Sequence, residues 1–186
     1  MAELIYISNV SLDGFIEDEH GSFDWTPPSN EVFAFITDLV RPIGTHLYGR
    51  RLYETMAVWE TDPALAAQSE LMADFARVWQ AADKIVYSTT LDAVSTTKSR
   101  LDRRFDPDSI RRTKADASRD LTVGGPNLAA HAFRAGLVDE CHLFIYPVIV
   151  GGGKPSLPSD FHAKLELLDD RRFDSGVVYV RYRIPI

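Results

Sequence analysis

Short apolar runs that stop abruptly at polar or glycine residues punctuate the chain, and their spacing predicts alternating strands and helices. Leu4 to Val10 is almost wholly apolar and ends at Ser11-Leu12-Asp13-Gly14, as a strand covered on both faces ends at a turn. Phe15 and Ile16 extend it briefly before a polar run, Glu17 to Gly21, and a loop stiffened by Pro27 and Pro28. Val32, Phe33, Ile36, Leu39 and Val40 then recur at helical spacing behind a capping Ser29 or Asn30, with Pro42 and Gly44 as stops. Thr45 to Tyr48 predicts a second strand, and Arg51 to Met56 opens a helical segment. Pro63 to Ala82 predicts one longer helix burying Leu65, Leu71, Met72, Phe75, Val78 and Trp79.

Lys84 to Ser88 predicts a third strand, a short one falls within Leu91 to Phe105, and Asp106-Pro107-Asp108 caps a polar helix to about Lys114. Leu121 to Val123 is a strand, and Pro126 to Arg134 a compact helix with Gly136 just beyond it. His142 to Val150 predicts a strand broken by Gly151-Gly152-Gly153. Ala163 to Phe173 and Val177 to Ile184 flank Asp174-Ser175-Gly176 as an antiparallel hairpin. The pattern predicts an α/β protein, a mixed sheet with helices on both faces, as one domain over residues 1–186.

Composition narrows the chemistry. At 186 residues with 45% hydrophobic and 25% charged content, the chain can build a core without staples. A net charge of -7 argues against a general nucleic-acid or anionic-membrane surface, so positive charge for an anionic ligand must be local. The one cysteine, Cys141, falls in a predicted strand and reads as a buried thiol. His20, His46, His131, His142 and His162 lack metal-ligand spacing, so no metal is expected. Met1-Ala2-Glu3-Leu4 enters a strand pattern at once, with no secretory or membrane-spanning segment, and a cytoplasmic location is expected.

Three strand ends carry candidate chemistry. Gly124-Gly125-Pro126 follows a strand and opens a helix, so the backbone can approach a ligand and the helix N-terminus can offer unpaired N–H groups to an anion. A tight turn without a ligand would read the same way. Gly49-Arg50-Arg51 also joins strand to helix, and two arginines at a helix start oppose its dipole unless an anion compensates; a solvated pair balanced by Glu54 and Glu60 is the alternative. Ser88-Thr89-Thr90 adds hydroxyls at a third strand end; alone it reads as ordinary loop chemistry, and the joint occurrence of the three ends gives it weight. The G-x-G-x-x-G fingerprint of Rossmann domains is absent. Lys154, after the triple glycine, is either an anion ligand or a solvated loop lysine.

These segments, with Ile7 to Ile16, Asp24-Trp25, Asp120 to Gly125, Leu137 to Glu140 and Gly151-Gly152-Gly153, resemble the dihydrofolate-reductase-like family. The nearest group is that resembling the C-terminal reductase domain of bacterial riboflavin biosynthesis. The resemblance implies a central, mostly parallel mixed sheet flanked by helices, with a C-terminal antiparallel hairpin. It implies an NADPH-dependent oxidoreductase acting on a small heterocyclic or carbonyl substrate, such as 5-amino-6-(5-phosphoribosylamino)uracil. Gly49 would touch the cofactor, and Arg50 and Arg51, with Ser88 and Thr89, would hold the adenosine 2′-phosphate end. Gly124, Gly125, Pro126, Asn127 and Leu128 would hold the pyrophosphate, and Ser8 and Asn9 would lie near the nicotinamide carboxamide.

Hydride transfer to C=N or C=O leaves a heteroatom that needs a proton. Asp13, beyond the first strand, and Glu31, in the first turn of the first helix, are the candidate catalytic carboxyls. An Asp-Gly turn and a dipole-favouring helix acid are their alternatives. Trp25 either walls the substrate pocket or packs between loop and helix. A homodimer is implied, with its interface expected at His142 to Val150 and the hairpin. The alternative function is a non-catalytic NADP(H)-binding relative that has lost turnover.

Overall fold

Leu47 and Tyr48 are neighbours in sequence yet belong to opposite sides of a sheet, as the two-residue period of a strand requires. The structure, a computed structural model, describes residues 1–185. The strands are β1 (Leu4–Ser11), β2 (Phe15–Glu17), β3 (Thr45–Gly49), β4 (Asp83–Tyr87), β5 (Ser99–Asp102), β6 (Leu121–Gly124), β7 (Glu140–Tyr146), β8 (Lys154–Pro155), β9 (Glu166–Arg172) and β10 (Val178–Arg183). The helices are α1 (Asn30–Val40), α2 (Arg50–Thr61), α3 (Pro63–Ala66), α4 (Glu70–Ala81), α5 (Pro107–Asp116) and α6 (Pro126–Arg134).

Among the described residues, eight strands form one sheet in the order β5-β4-β3-β6-β1-β7-β10-β9. β5 to β7 all run parallel in this order, and β10 pairs antiparallel with both β7 and β9. The mixed, mostly parallel sheet with its terminal hairpin is the expected architecture. Leu47, Leu121, Val123 and Cys141 pack with Ile110 of α5 and Leu128, Ala129 and Phe133 of α6 on one face. Tyr48 and Val86 pack with Tyr53 of α2 and Phe75 and Trp79 of α4 on the other, where α1 adds Val32 and Phe35 against Phe144 and Tyr179. Both faces are thus covered, which is why the central strands read as continuous apolar runs.

Several predicted boundaries move. Pro63 to Ala82 is two helices, because the Ser69 hydroxyl accepts the Met72 N–H at 3.2 Å and caps α4 anew. α2 runs on to Thr61. β7 starts at Glu140 and ends at Tyr146, since Pro147 has no N–H to extend the ladder. It lies between β1 and β10, with a strand neighbour on each side. β2 and β8 form a separate two-stranded ribbon that sequence spacing did not foreshadow.

Candidate active site

The carboxyl ends of β1, β3, β4, β5 and β6 open on one cleft of about 1410 Å³. That exceeds the roughly 300–1,000 Å³ of a pocket for one ligand, so two molecules fit side by side. Ligands of open parallel sheets sit beyond the carboxyl ends of the strands, as this cleft does. All twelve residues expected to touch a cofactor line it: Ser8, Asn9, Gly49, Arg50, Arg51, Ser88, Thr89, Gly124, Gly125, Pro126, Asn127 and Leu128.

Helix capping distinguishes the two helices that start in the cleft. α1, α3, α4 and α5 each have a side-chain cap, from Ser29, Asp62, Ser69 and Asp106. α2 and α6 start instead at Gly49 and Gly125, with no side-chain cap and no acid in the first turn. Their first N–H groups have no side-chain acceptor, and both ends carry the positive pole of a helix. Gly125 has a φ of +89°, where a side chain would be strained, and a Cβ on Gly124 would collide with the Leu52 side chain. The turn brings bare backbone to the cleft wall.

Arg50 is held in place by donating to Glu54 Oε1 at 2.8 Å and to Thr90 Oγ1 at 2.9 Å. Arg51 stands 3.8 Å from Glu17. Ser88 accepts the Thr90 and Leu91 N–H groups, at 3.2 and 2.9 Å, and so shapes the loop after β4. At the other end of the cleft the Ser156 hydroxyl donates to Ser8 Oγ at 3.2 Å, and Tyr6 OH donates to the Ser156 carbonyl at 2.7 Å.

The two candidate catalytic carboxyls are elsewhere. Asp13 accepts the backbone N–H groups of Val150 and Gly151, at 3.2 and 2.8 Å, and does not line the cleft. The Ser11 hydroxyl first, then those two amides, hold its carboxyl below the usual carboxylate range. Glu31 accepts from Arg171 at 3.0 Å and from the Asp174 N–H at 3.4 Å, tying α1 to the β9–β10 turn. Trp25 packs edge-on to Tyr146, with ring centroids 5.8 Å apart, and walls a separate pocket of about 230 Å³.

The chain matches the family described as the RibD C-terminal domain over residues 2–179. It belongs to that family. A Bacillus subtilis (strain 168) protein, YyaP, itself described as uncharacterized, is 32% identical over 184 residues, covering 93% of this chain and 90% of its own. A protein of Shewanella sp. PV-4, linked by its description to riboflavin biosynthesis, superposes over the whole of both chains with a TM-score of 0.77 at 20% identity. Dihydrofolate reductase from Enterococcus faecalis, solved with NADP(H), superposes over 99% of this chain and 97% of its own, with a TM-score of 0.65 at 14% identity. The chain therefore has the dihydrofolate-reductase-like fold.

Sequence reasoning missed part of this RibD-type cleft. Arg103, just beyond β5, lines it and donates to the carbonyls of Ser88 and Leu91, at 3.2 and 2.6 Å. Its signal was present: Arg103-Arg104 follows a strand just as Arg50-Arg51 does. Tyr87, Phe105, His131 and Glu17 also line the cleft, and burial pushes the Tyr87 hydroxyl up to about 12. Lys154 lines it from β8, where its cross-strand partner is Glu17. At the floor His46 shares a hydrogen bond between its Nδ1 and Thr122 Oγ1, 2.6 Å apart, and its ring stacks on Tyr48. Its Nε2 is buried without a partner. Among the described residues, no group of three or more His, Cys, Asp or Glu is placed to hold a metal ion. Among the same residues, no helix is long and apolar enough to cross a membrane.

Proposed function

We propose that this chain is a reductase that holds NADPH across the carboxyl ends of β1, β3, β4 and β6 and reduces a small carbonyl or heterocyclic substrate beside it. The observation that carries the reading is the pair of uncapped helix N-termini, at Gly49 and Gly125, opening on one cleft with Arg50, Arg51 and Arg103 at its rim. A dinucleotide brings two anionic groups to such a cleft, and each uncapped end is completed by one of them.

In this reading the first-turn amides of α6 hold the pyrophosphate, and Gly124 and Gly125 let it approach. Arg50 and Arg51 hold the 2′-phosphate, with Ser88 and Thr89 as hydroxyl partners. Ser8 and Asn9 orient the carboxamide of the nicotinamide, and the link from Ser8 through Ser156 to Tyr6 fixes that end of β1. When bound, NADPH supplies a hydride to the electrophilic carbon of a C=N or C=O bond and leaves as NADP⁺. The heteroatom of that bond takes one proton. Two carboxyls line the cleft, but Glu54 is bound to Arg50 and Glu17 stands 3.8 Å from Arg51, both beside the arginines of the 2′-phosphate end, so the proton reaches the heteroatom from solvent. Asp13 ties two loops together, and Glu31 ties α1 to the β9–β10 turn.

The dimer implied by the resemblance would use the outer strand β9 of the β9–β10 hairpin, because β7 and β10 each have strand neighbours on both sides. The test of function is loss of reduced-nicotinamide absorbance with a panel of quinones, aryl carbonyls, pteridines and 5-amino-6-(5-phosphoribosylamino)uracil. Turnover with at least one class is expected. NADPH binding with no turnover across the panel would instead make the chain a non-catalytic nucleotide binder.

A further inference from the structure

One arm of the cleft carries no charge. Ile36 and Val40 of α1, Met56 of α2, and Phe75 and Trp79 of α4 close over Tyr48 of β3, and all six line the cleft. They belong to a single apolar cluster. The Tyr48 hydroxyl accepts the Trp79 Nε1–H at 3.1 Å, and burial keeps that hydroxyl protonated. His46 lies at the base of the arm, and burial, with Lys84 adding to it, lowers its imidazole to about 3. Both titratable groups are neutral at physiological pH.

The cations of the cleft have partners of their own. Arg50 is bound to Glu54 and Thr90, Arg51 stands 3.8 Å from Glu17, and Arg103 is bound to the carbonyls of Ser88 and Leu91. Lys154 comes from the β2–β8 ribbon opposite the acid Glu17. Lys84, behind Trp79, donates to the carbonyls of Trp79 and Ala82, at 3.3 and 3.1 Å, and is buried. A phosphate dianion seated in the arm would lose its water and meet no counter-charge, which is strongly unfavourable. A flat apolar ring would meet the partly buried Ile36, Val40 and Met56 instead, with Phe75 and Trp79 buried behind them.

We propose that the substrate group held in this arm is an uncharged, planar, largely apolar carbonyl or heterocycle without a phosphate. This rests on the reductase reading, and it departs from the phosphoribosylated pyrimidine that the family resemblance implies. The carbon of its C=O or C=N bond accepts the hydride, the heteroatom accepts a proton from solvent, and NADPH is oxidised to NADP⁺. The arm selects by what it lacks.

The test compares an uncharged bicyclic quinone and an unsubstituted pteridine with 5-amino-6-(5-phosphoribosylamino)uracil. Binding is measured by calorimetry in the presence of NADP⁺, and turnover is measured with NADPH. At least one uncharged probe is expected to bind at least tenfold more tightly than the phosphorylated one and to show at least tenfold higher kcat/KM. Met56→Lys, with Ile36→Thr as a milder second variant, should weaken the uncharged probe at least tenfold while the NADPH dissociation constant stays within twofold. That unchanged NADPH value also reports that each variant is folded. NADPH binding with preference for the phosphorylated probe would overturn this inference and leave the reductase reading standing. Failure of NADPH itself to bind would overturn both.

Discussion

The Asp13 carboxylate accepts the Gly151 backbone N–H at 2.8 Å, joining two loops 138 residues apart in sequence. An acid that reads from sequence as a proton donor is occupied in fixing the triple-glycine loop. Asp13→Ala should raise the amide exchange rate of Gly151 to Gly153 at least tenfold while leaving the melting temperature and NADPH affinity nearly unchanged. The folded carboxyl is more acidic than its unfolded counterpart. The tie is therefore complete above about pH 4 and is lost as pH falls through the lower folded-state value. Exchange measured across that range checks the sign.

Arg50 and Arg51 separate the two nicotinamide cofactors in this account. A charge-assisted hydrogen bond contributes about 1.5–3 kcal/mol, so each Arg→Ala change should weaken NADPH at least about tenfold. NADH lacks the 2′-phosphate, and its affinity should stay within about threefold. Equal losses for the two nucleotides would remove the 2′-phosphate role from both arginines.

Gly125 holds a φ of +89° at the start of α6. Gly125→Ala imposes backbone strain of about 1–3 kcal/mol, which chemical denaturation would read as lost stability. It should also weaken NADPH at least tenfold, because the strained turn presents the first amides of α6. A loss of stability with unaltered NADPH affinity would confine Gly125 to folding.

His46 predicts a pH dependence of folding. Its folded imidazole is lowered to about 3, chiefly by burial, whereas the unfolded one titrates near 6.5. Below about pH 6.5 the unfolded chain binds the proton first, so stability falls with pH by up to about 1.4 kcal/mol per unit. His46→Gln keeps a polar partner for Thr122 and should remove that much of the slope between pH 6 and 4. Denaturant unfolding at several pH values measures it.

Much of the architecture was legible because the central strands are covered on both faces and read as apolar runs with sharp ends. The same ends located the cleft, since Gly49, Ser88 and Gly124 lie where β3, β4 and β6 stop. What was hidden depended on partners distant in the chain. Glu31 meets Arg171, 140 residues away, and Asp13 meets Gly151, so neither tie leaves a local pattern. Ser69 breaks the predicted long helix because its hydroxyl caps α4, although the apolar spacing continues through it. Arg103 escaped because β5 is only four residues long with a partly exposed face.

The central claim is that the two uncapped helix starts and the arginines beside them form a nucleotide site. Calorimetric titration of the purified chain with NADPH and with NADH tests it most directly. The account predicts a micromolar dissociation constant for NADPH and a value at least tenfold weaker for NADH. Failure of both to bind below the millimolar range would contradict it.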